Sequence, residues 1–182
     1  MLVSDAQREV RTVYVGGFWG QLVSGAIWLT SAALGTWATP RAAIIAIVAG
    51  GFFIFPLTQL MLRLSGRQAS LTSDNPLKAL AVQIAFTLPL GMLLLAPVGA
   101  YRLNWFYPAL MILLGAHYLP FTFLYGMRMF LPLTAILVGS GTLIAMYFAE
   151  SFSLGAWVGG GTLLVFAWVG RAAVRAEMRS GN

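Results

Sequence analysis

Three glutamines, one histidine and a short ladder of hydroxyls are the side chains of this 182-residue chain that could do chemistry inside long apolar runs. Gln21, Gln59 and Gln83 lie some four to eight residues from the same end of the first, second and third runs, which sets their amides at one depth, roughly 6–12 Å below a membrane surface at about 1.5 Å per residue. Thr58, Thr122 and Tyr125 fall near that level, with His117 and Tyr118 deeper. Gly115, Tyr118, Thr122 and Tyr125 follow i, i+3, i+7, i+10 spacing, one stripe of a helix. Two arrangements fit. One is a hydrated pocket open to the cytoplasm, lined by Gln21, Gln59, Gln83, His117, Tyr118, Thr122 and Tyr125 with Arg128 at its mouth, suited to a small polar or anionic headgroup. In the other, the amides bond one another or a proline-freed carbonyl across helices, because an unpaired amide in hydrocarbon is costly. The outer half of the runs offers no comparable set.

His117 is the only histidine. An ionisable group at membrane depth is a functional hypothesis, since its burial is expensive, and imidazole changes charge near neutral pH. No Asp or Glu shares its depth to pass a proton on, so a hydrogen bond to a neighbouring helix competes with proton coupling. The five acids are scattered: Asp5, Glu9 and Glu177 in the tails, Asp74 in a loop and Glu150 at the opposite face. No carboxylate pair, His/Asp/Glu cluster or Gly-rich phosphate cradle emerges, so no catalytic, metal or cofactor residues are expected. A loop site of Asp74 and Asn75 with Arg63 and Arg67 is the exception; those residues read equally as a helix cap and surface anchors.

The elements that must position these side chains follow from composition. A chain 59% hydrophobic and 9% charged does not make a hydrated globular surface. Cysteine is absent, which excludes disulfides and thiolate chemistry. The net charge of +6 points to anionic lipid headgroups rather than nucleic acid, because the basic residues stand singly at the ends of apolar runs and not clustered on one helix face. A hydrocarbon core of about 30 Å needs roughly 20 helical residues. Six runs qualify or nearly do, at 13–37, 42–62, 79–98, 105–125, 129–148 and 152–169, with 1–12 and 170–182 as short tails. The runs lack strict alternation and are too long for barrel strands. The expected fold is therefore all-α, one polytopic bundle of six transmembrane helices.

Nine of the eleven Lys and Arg residues, at Arg8, Arg11, Arg63, Arg67, Lys78, Arg128, Arg171, Arg175 and Arg179, fall on one side of such a bundle, against Arg41 and Arg102 on the other. The positive-inside rule then places both termini in the cytoplasm. Pro40, Pro76, Pro108 and Pro132 stand at or near helix starts, where a missing N–H costs nothing, and Asn75 precedes Pro76 as a natural cap. Pro56, Pro89 and Pro120 fall inside runs and predict kinks or hinges. Gly51-x4-Pro56-Leu57-Thr58 recurs as Gly115-x4-Pro120-Phe121-Thr122, an echo consistent with a duplicated hairpin. Gly16-x3-Gly20 and Gly155-x3-Gly159 are close-approach motifs that could join helices within one chain or form a homo-oligomer.

The ordered set Phe55-Pro56-Leu57, Asn75-Pro76-Leu77, Trp105-Phe106-Tyr107-Pro108, Gly115-Ala116-His117-Tyr118-Leu119-Pro120 and Leu124-Tyr125 resembles the pattern of a family of small bacterial membrane proteins, domain of unknown function 7010. The resemblance covers about 16–137. It implies a one-domain integral protein of the bacterial cytoplasmic (inner) membrane, draws interest to Asn75, Pro76, His117, Tyr118 and Pro120, and carries no activity. The expected function is transporter-like or channel-like, with a polar or amphipathic, lipid-like ligand in a cytoplasm-facing pocket. The almost wholly apolar outer half weakens a simple ion pore. The alternatives are a scaffold that holds lipid or a partner without moving anything, and a lipid-modifying enzyme at the inner surface.

Overall fold

In a computed structural model that describes residues 1–67 and 69–180, with the backbone alone of Ser180, the chain is all helix and turn. The helices are α1 Val3–Val13, α2 Phe18–Trp37, α3 Pro40–Leu64, α4 Leu77–Met92, α5 Leu95–Tyr101, α6 Phe106–Tyr118, α7 Phe121–Tyr125, α8 Phe130–Tyr147 and α9 Leu154–Ser180, with 3-10 turns at Val15–Gly17 and Leu103–Trp105. Five segments are long and apolar enough to cross a membrane: Pro40–Leu64, Leu77–Tyr101, Leu103–Tyr125, Phe130–Tyr147 and Leu154–Arg179. α2, expected as the first span, is not among them. It carries Gln21, Ser24 and Ser31, all buried, so its polar residues lower its hydropathy while facing protein.

α2 is the hub, packed on α3 along one side and α9 along another; α8 joins α9 to α6, and α6 carries α4. Small residues make the α2 and α9 approach possible. A Cβ on Gly25 would stand 2.8 Å from Leu164 Cδ2, and one on Gly159 would stand 2.5 Å from Trp28 Cζ3. The Gly155-x3-Gly159 face is thus used inside the chain, Gly155 lying against Tyr107. Tyr107 is fully buried, within 6.1 Å of the Trp28 ring and 5.0 Å of Phe152. Ser31 Oγ donates to the Ala43 carbonyl at 2.7 Å and so receives the Tyr107 hydroxyl. This relay binds α6, α2 and α3 in the half of the bundle expected to be almost wholly apolar, each such bond contributing on the order of 1 kcal/mol in lipid.

The prolines act unequally. Pro56 sits within an uninterrupted α3. After Pro89 the helix lapses at Leu93 and Leu94 before α5, and α6 gives way to α7 at Leu119 and Pro120. There the Gly115 carbonyl accepts from Leu119 N at 3.2 Å and from Thr134 Oγ1 of α8 at 3.0 Å. The two copies of the echo therefore differ in surroundings: a Cβ on Gly51 would meet nothing within 4 Å, whereas one on Gly115 would lie 2.7 Å from Val138.

Residues 3–12 and 170–180, expected as parts of tails, are helical. α1 buries Ala6 and Val10 and exposes Asp5, Arg8 and Thr12, a 3.6-residue amphipathic pattern too polar to register as a span. The polypeptide then turns through three left-handed residues, Val15 (φ 54), Gly16 (φ 64) and Gly17 (φ 83). α9 continues to Ser180, so Arg171, Arg175 and Arg179, read as scattered, share one helix face. Arg11 donates to Glu177 at 3.0 and 2.7 Å and to the Tyr125 carbonyl at 2.8 Å, while Gln7 takes the Phe123 carbonyl at 2.5 Å. α1 thereby caps the exposed carbonyls at the end of α7 and ties itself to the end of α9.

The connection from α3 to α4 docks on the same helix. Thr72 N and Oγ1 donate to Glu9 at 2.6 and 3.0 Å, and Asn75 Nδ2 donates to Glu9 at 2.9 Å and to the Ala6 carbonyl at 3.2 Å. Asn75 Oδ1 accepts from Leu77 N at 2.9 Å, the cap expected for α4. The Thr72 N–H, with Asn75 and the Thr72 hydroxyl behind it, holds the Glu9 carboxyl below its ordinary value of 4.5. A lowered folded-state value gives stability that is present above the unfolded value and lost as pH falls through the folded one. Hydrogen exchange of the Thr72 amide, corrected for intrinsic rate, is expected to accelerate on acidification below about pH 4.5, and Glu9→Gln is expected to remove that dependence. Protection that is the same at every pH in both proteins would refute the coupling.

Candidate functional site

The eight polar positions marked by the sequence do not converge on one enclosed space. Gln21 is 1% exposed, and neither Nε2 nor Oε1 has a hydrogen-bond partner among the described residues. Gly17 leaves room beside it, since a Cβ there would stand 3.6 Å from both Gln21 Nε2 and Phe130 Cζ. Gln59 is half-buried on α3 and Gln83 is exposed on α4. Equal depth did not give these amides a common face.

Phe130, which the sequence did not single out, organises what does come together. Tyr118 stacks on it with centroids 6.1 Å apart, and Phe121 and Tyr125 approach at 5.4 and 5.2 Å. Tyr118, Phe121 and Tyr125 thus surround one ring where α6, α7 and α8 meet, and Gly17 lies between that ring and the Gln21 amide. Thr122 Oγ1 is buried without a hydrogen-bond partner among the described residues. His117 lies one ring further out, 5.2 Å from Phe121, with Nδ1 2.9 Å from Thr87 Oγ1 of α4. The Thr87 hydroxyl donates to the Ile84 carbonyl at 2.7 Å, so Nδ1 carries the hydrogen that bridges to Thr87. The imidazole is therefore in use as a tie between α6 and α4.

Arg128 is exposed and borders an open cleft of about 310 Å³ with Arg11, Met127, Met129, Ala173 and Glu177. The left-handed Gly126 (φ 63) turns the chain here, and a Cβ on it would lie 2.7 Å from Gln7 Oε1. Sequence reasoning missed two polar centres. Glu9 with Thr72 and Asn75 was visible only in part, through the Asn75-Pro76 cap. Ser31 with Tyr107 had no local signal, because its members are 76 positions apart.

Helices of this length and apolarity, tied by buried hydroxyl and amide bonds and wrapped in exposed Phe, Leu and Ile, define an all-α, multi-pass integral membrane protein. The family of unknown function DUF7010 matches residues 3–172, and the chain belongs to it. The match extends past the 16–137 expected from short motifs, taking in α1 and the span of α9. No curated protein and no solved structure matches the chain.

Proposed function

We propose that the protein crosses the bacterial inner membrane six times with both termini in the cytoplasm, and that it is a transporter-like protein holding a small polar or amphipathic, lipid-like ligand in its cytoplasmic half. Several features support the sixth crossing. α2 is 20 residues long, about 30 Å at 1.5 Å per residue, is linked to α3 by residues 38–39, and is shielded by α3 and α9. The bond from Arg11 to Glu177 brings the two termini to one end, the end that carries most of the cationic side chains.

The observation that carries the ligand is the orphaned Gln21 amide. A buried polar group without a partner costs about 1–3 kcal/mol, and Gln21 presents two polar atoms beside the Phe130 cluster. The lapses at residues 93–94 and 119–120 put interrupted helices in two neighbouring spans, a device by which transporters expose backbone to substrate.

Gln21→Leu is expected to raise the thermal midpoint by several degrees, since it removes the unpaired groups, and to abolish retention of any small molecule that copurifies with wild type, read by native mass spectrometry in mild detergent. A destabilised Gln21→Leu protein, with wild type free of ligand, would make the amide structural and defeat the proposal. A non-transporting scaffold that holds lipid or a partner is the second reading, favoured by the use of His117 to tie α4. It is also favoured by the exposure of α3 and of the span formed by α4 and α5, only 6% and 11% of whose apolar stretches are buried. In that reading the open surfaces at Gly51, Gly139 and Gly161 are where a second copy would pack.

A further inference from the structure

We infer that the end of α9 is a binding site for an anionic phospholipid, its phosphate held by Arg171, Arg175 and Arg179 and one acyl chain lying over Trp168 and Val165. α9 has 27 residues, about 40 Å of helix at 1.5 Å per residue. A hydrocarbon core of about 30 Å leaves its last turns at the headgroups. The three arginines repeat at i, i+4 and i+8, one above another on one face. With Trp168, Ala172 and Ala176 they border an open cleft of about 240 Å³. The alanines between them leave space where a headgroup can reach the guanidinium groups.

Arg171 is already placed. Its guanidinium lies 4.6 Å from the Phe18 ring and 5.2 Å from the Trp168 ring, so little rotamer freedom remains to be lost when it binds. Arg175 and Arg179 are exposed, and neither forms an ion pair among the described residues. Glu177, the acid of this stretch, points to the opposite side, where it receives Arg11. Among the described residues, the carboxylate of this stretch is therefore turned away from the cationic face.

The apolar continuation of the same face selects a lipid over a free phosphate. Val165 and Trp168 are 61% and 56% exposed and lie at i−6 and i−3 from Arg171, leading from the arginines into the hydrocarbon. The phosphodiester of a headgroup without a cation of its own takes paired hydrogen bonds from guanidinium groups better than that of a zwitterionic headgroup, whose ammonium competes. Trp at this depth is the residue that sits comfortably between headgroup and chain.

The test is native mass spectrometry of the full protein in mild detergent with phosphatidylglycerol and phosphatidylcholine of identical chains added in equal amounts. Wild type is expected to retain phosphatidylglycerol in excess, and Arg175→Gln/Arg179→Gln to lower that excess about tenfold. The charge-matched Arg8→Gln/Lys78→Gln protein, altered at two exposed cations away from this face, should keep it. Ala176→Glu, which leaves every arginine in place, should lose it as well, so the outcome does not hang on one variant folding. Equal retention of the two lipids by wild type, or equal loss in the charge-matched control, would overturn the site as general surface charge. Complete displacement by millimolar inorganic phosphate would overturn the lipid as its occupant.

Discussion

Gly16→Ala is expected to be among the most damaging single-methyl additions to this chain. A Cβ at Gly16 would stand 2.7 Å from the Gly170 carbonyl oxygen, and one at Gly170 would stand 2.6 Å from the Gly16 carbonyl oxygen. Backbone faces backbone at that crossing, so no side chain can swing aside. Overpacking of this kind costs about 1–3 kcal/mol, and a left-handed φ of 64 adds roughly 1–2 kcal/mol for any residue with a Cβ. Gly16→Ala should thus lose more than Gly170→Ala, where only the first cost applies. Gly139 and Gly161, whose Cβ positions meet nothing within 4 Å, should accept alanine within about 0.5 kcal/mol. Equilibrium unfolding in detergent ranks the four; parity between Gly16→Ala and Gly139→Ala would show that the crossing is not held as described.

A second large effect is expected at Asn75, which is 4% exposed and donates to Glu9 and Ala6 while capping Leu77. Asn75→Ala removes those bonds and should destabilise by about 1–3 kcal/mol. Asn75→Asp keeps the cap acceptor but replaces the donor amide with a carboxylate 2.9 Å from the Glu9 oxygen. At neutral pH it should be the worse of the two, since two carboxylates sharing a site cannot both ionise freely. The order should narrow below about pH 4 as one of them takes a proton. Unfolding of both variants at neutral and acid pH decides the matter. An Asp variant as stable as the Ala variant at pH 7 would mean that Glu9 and Asn75 are not coupled.

The spans were legible because hydropathy is a property of composition alone. The run expected at 42–62 is α3, Pro40–Leu64, and the one at 129–148 is α8, Phe130–Tyr147. α1 was hidden because its apolar stripe is only Val3, Ala6, Val10 and Val13 on an otherwise polar segment, and such a helix forms by docking rather than by propensity. Gly16 reads as helix packing, yet with Gly17 it also makes a left-handed turn that no helical pattern encodes.

The candidate site was harder, for a geometric reason. Counting residues along a span gives depth, but the direction a side chain faces depends on neighbours chosen by tertiary packing. Gln21, Gln59 and Gln83 share a depth, and only the first is buried. The tie from His117 to a neighbouring helix was foreseeable as a type of bond, whereas Thr87, 30 positions away, was not foreseeable as its partner. Phe130 escaped notice because an aromatic residue at a helix start is ordinary until three other rings close on it.

The placement of α2 has a consequence for the order in which the molecule is made. α2 is translated before α3 to α8, yet the surface against which Gly25 and Trp28 rest is supplied in large part by α9, which follows all of them. Until then the Gly25 face of α2 is uncovered, although Ser31 already has Ala43 of α3 and Tyr107 of α6, and the clasp between Arg11 and Glu177 has one half. Translation of α9 is therefore the step that seals this face, and a chain stopped before residue 154 leaves α2 with a glycine-lined face that surveillance proteases can recognise as unfinished.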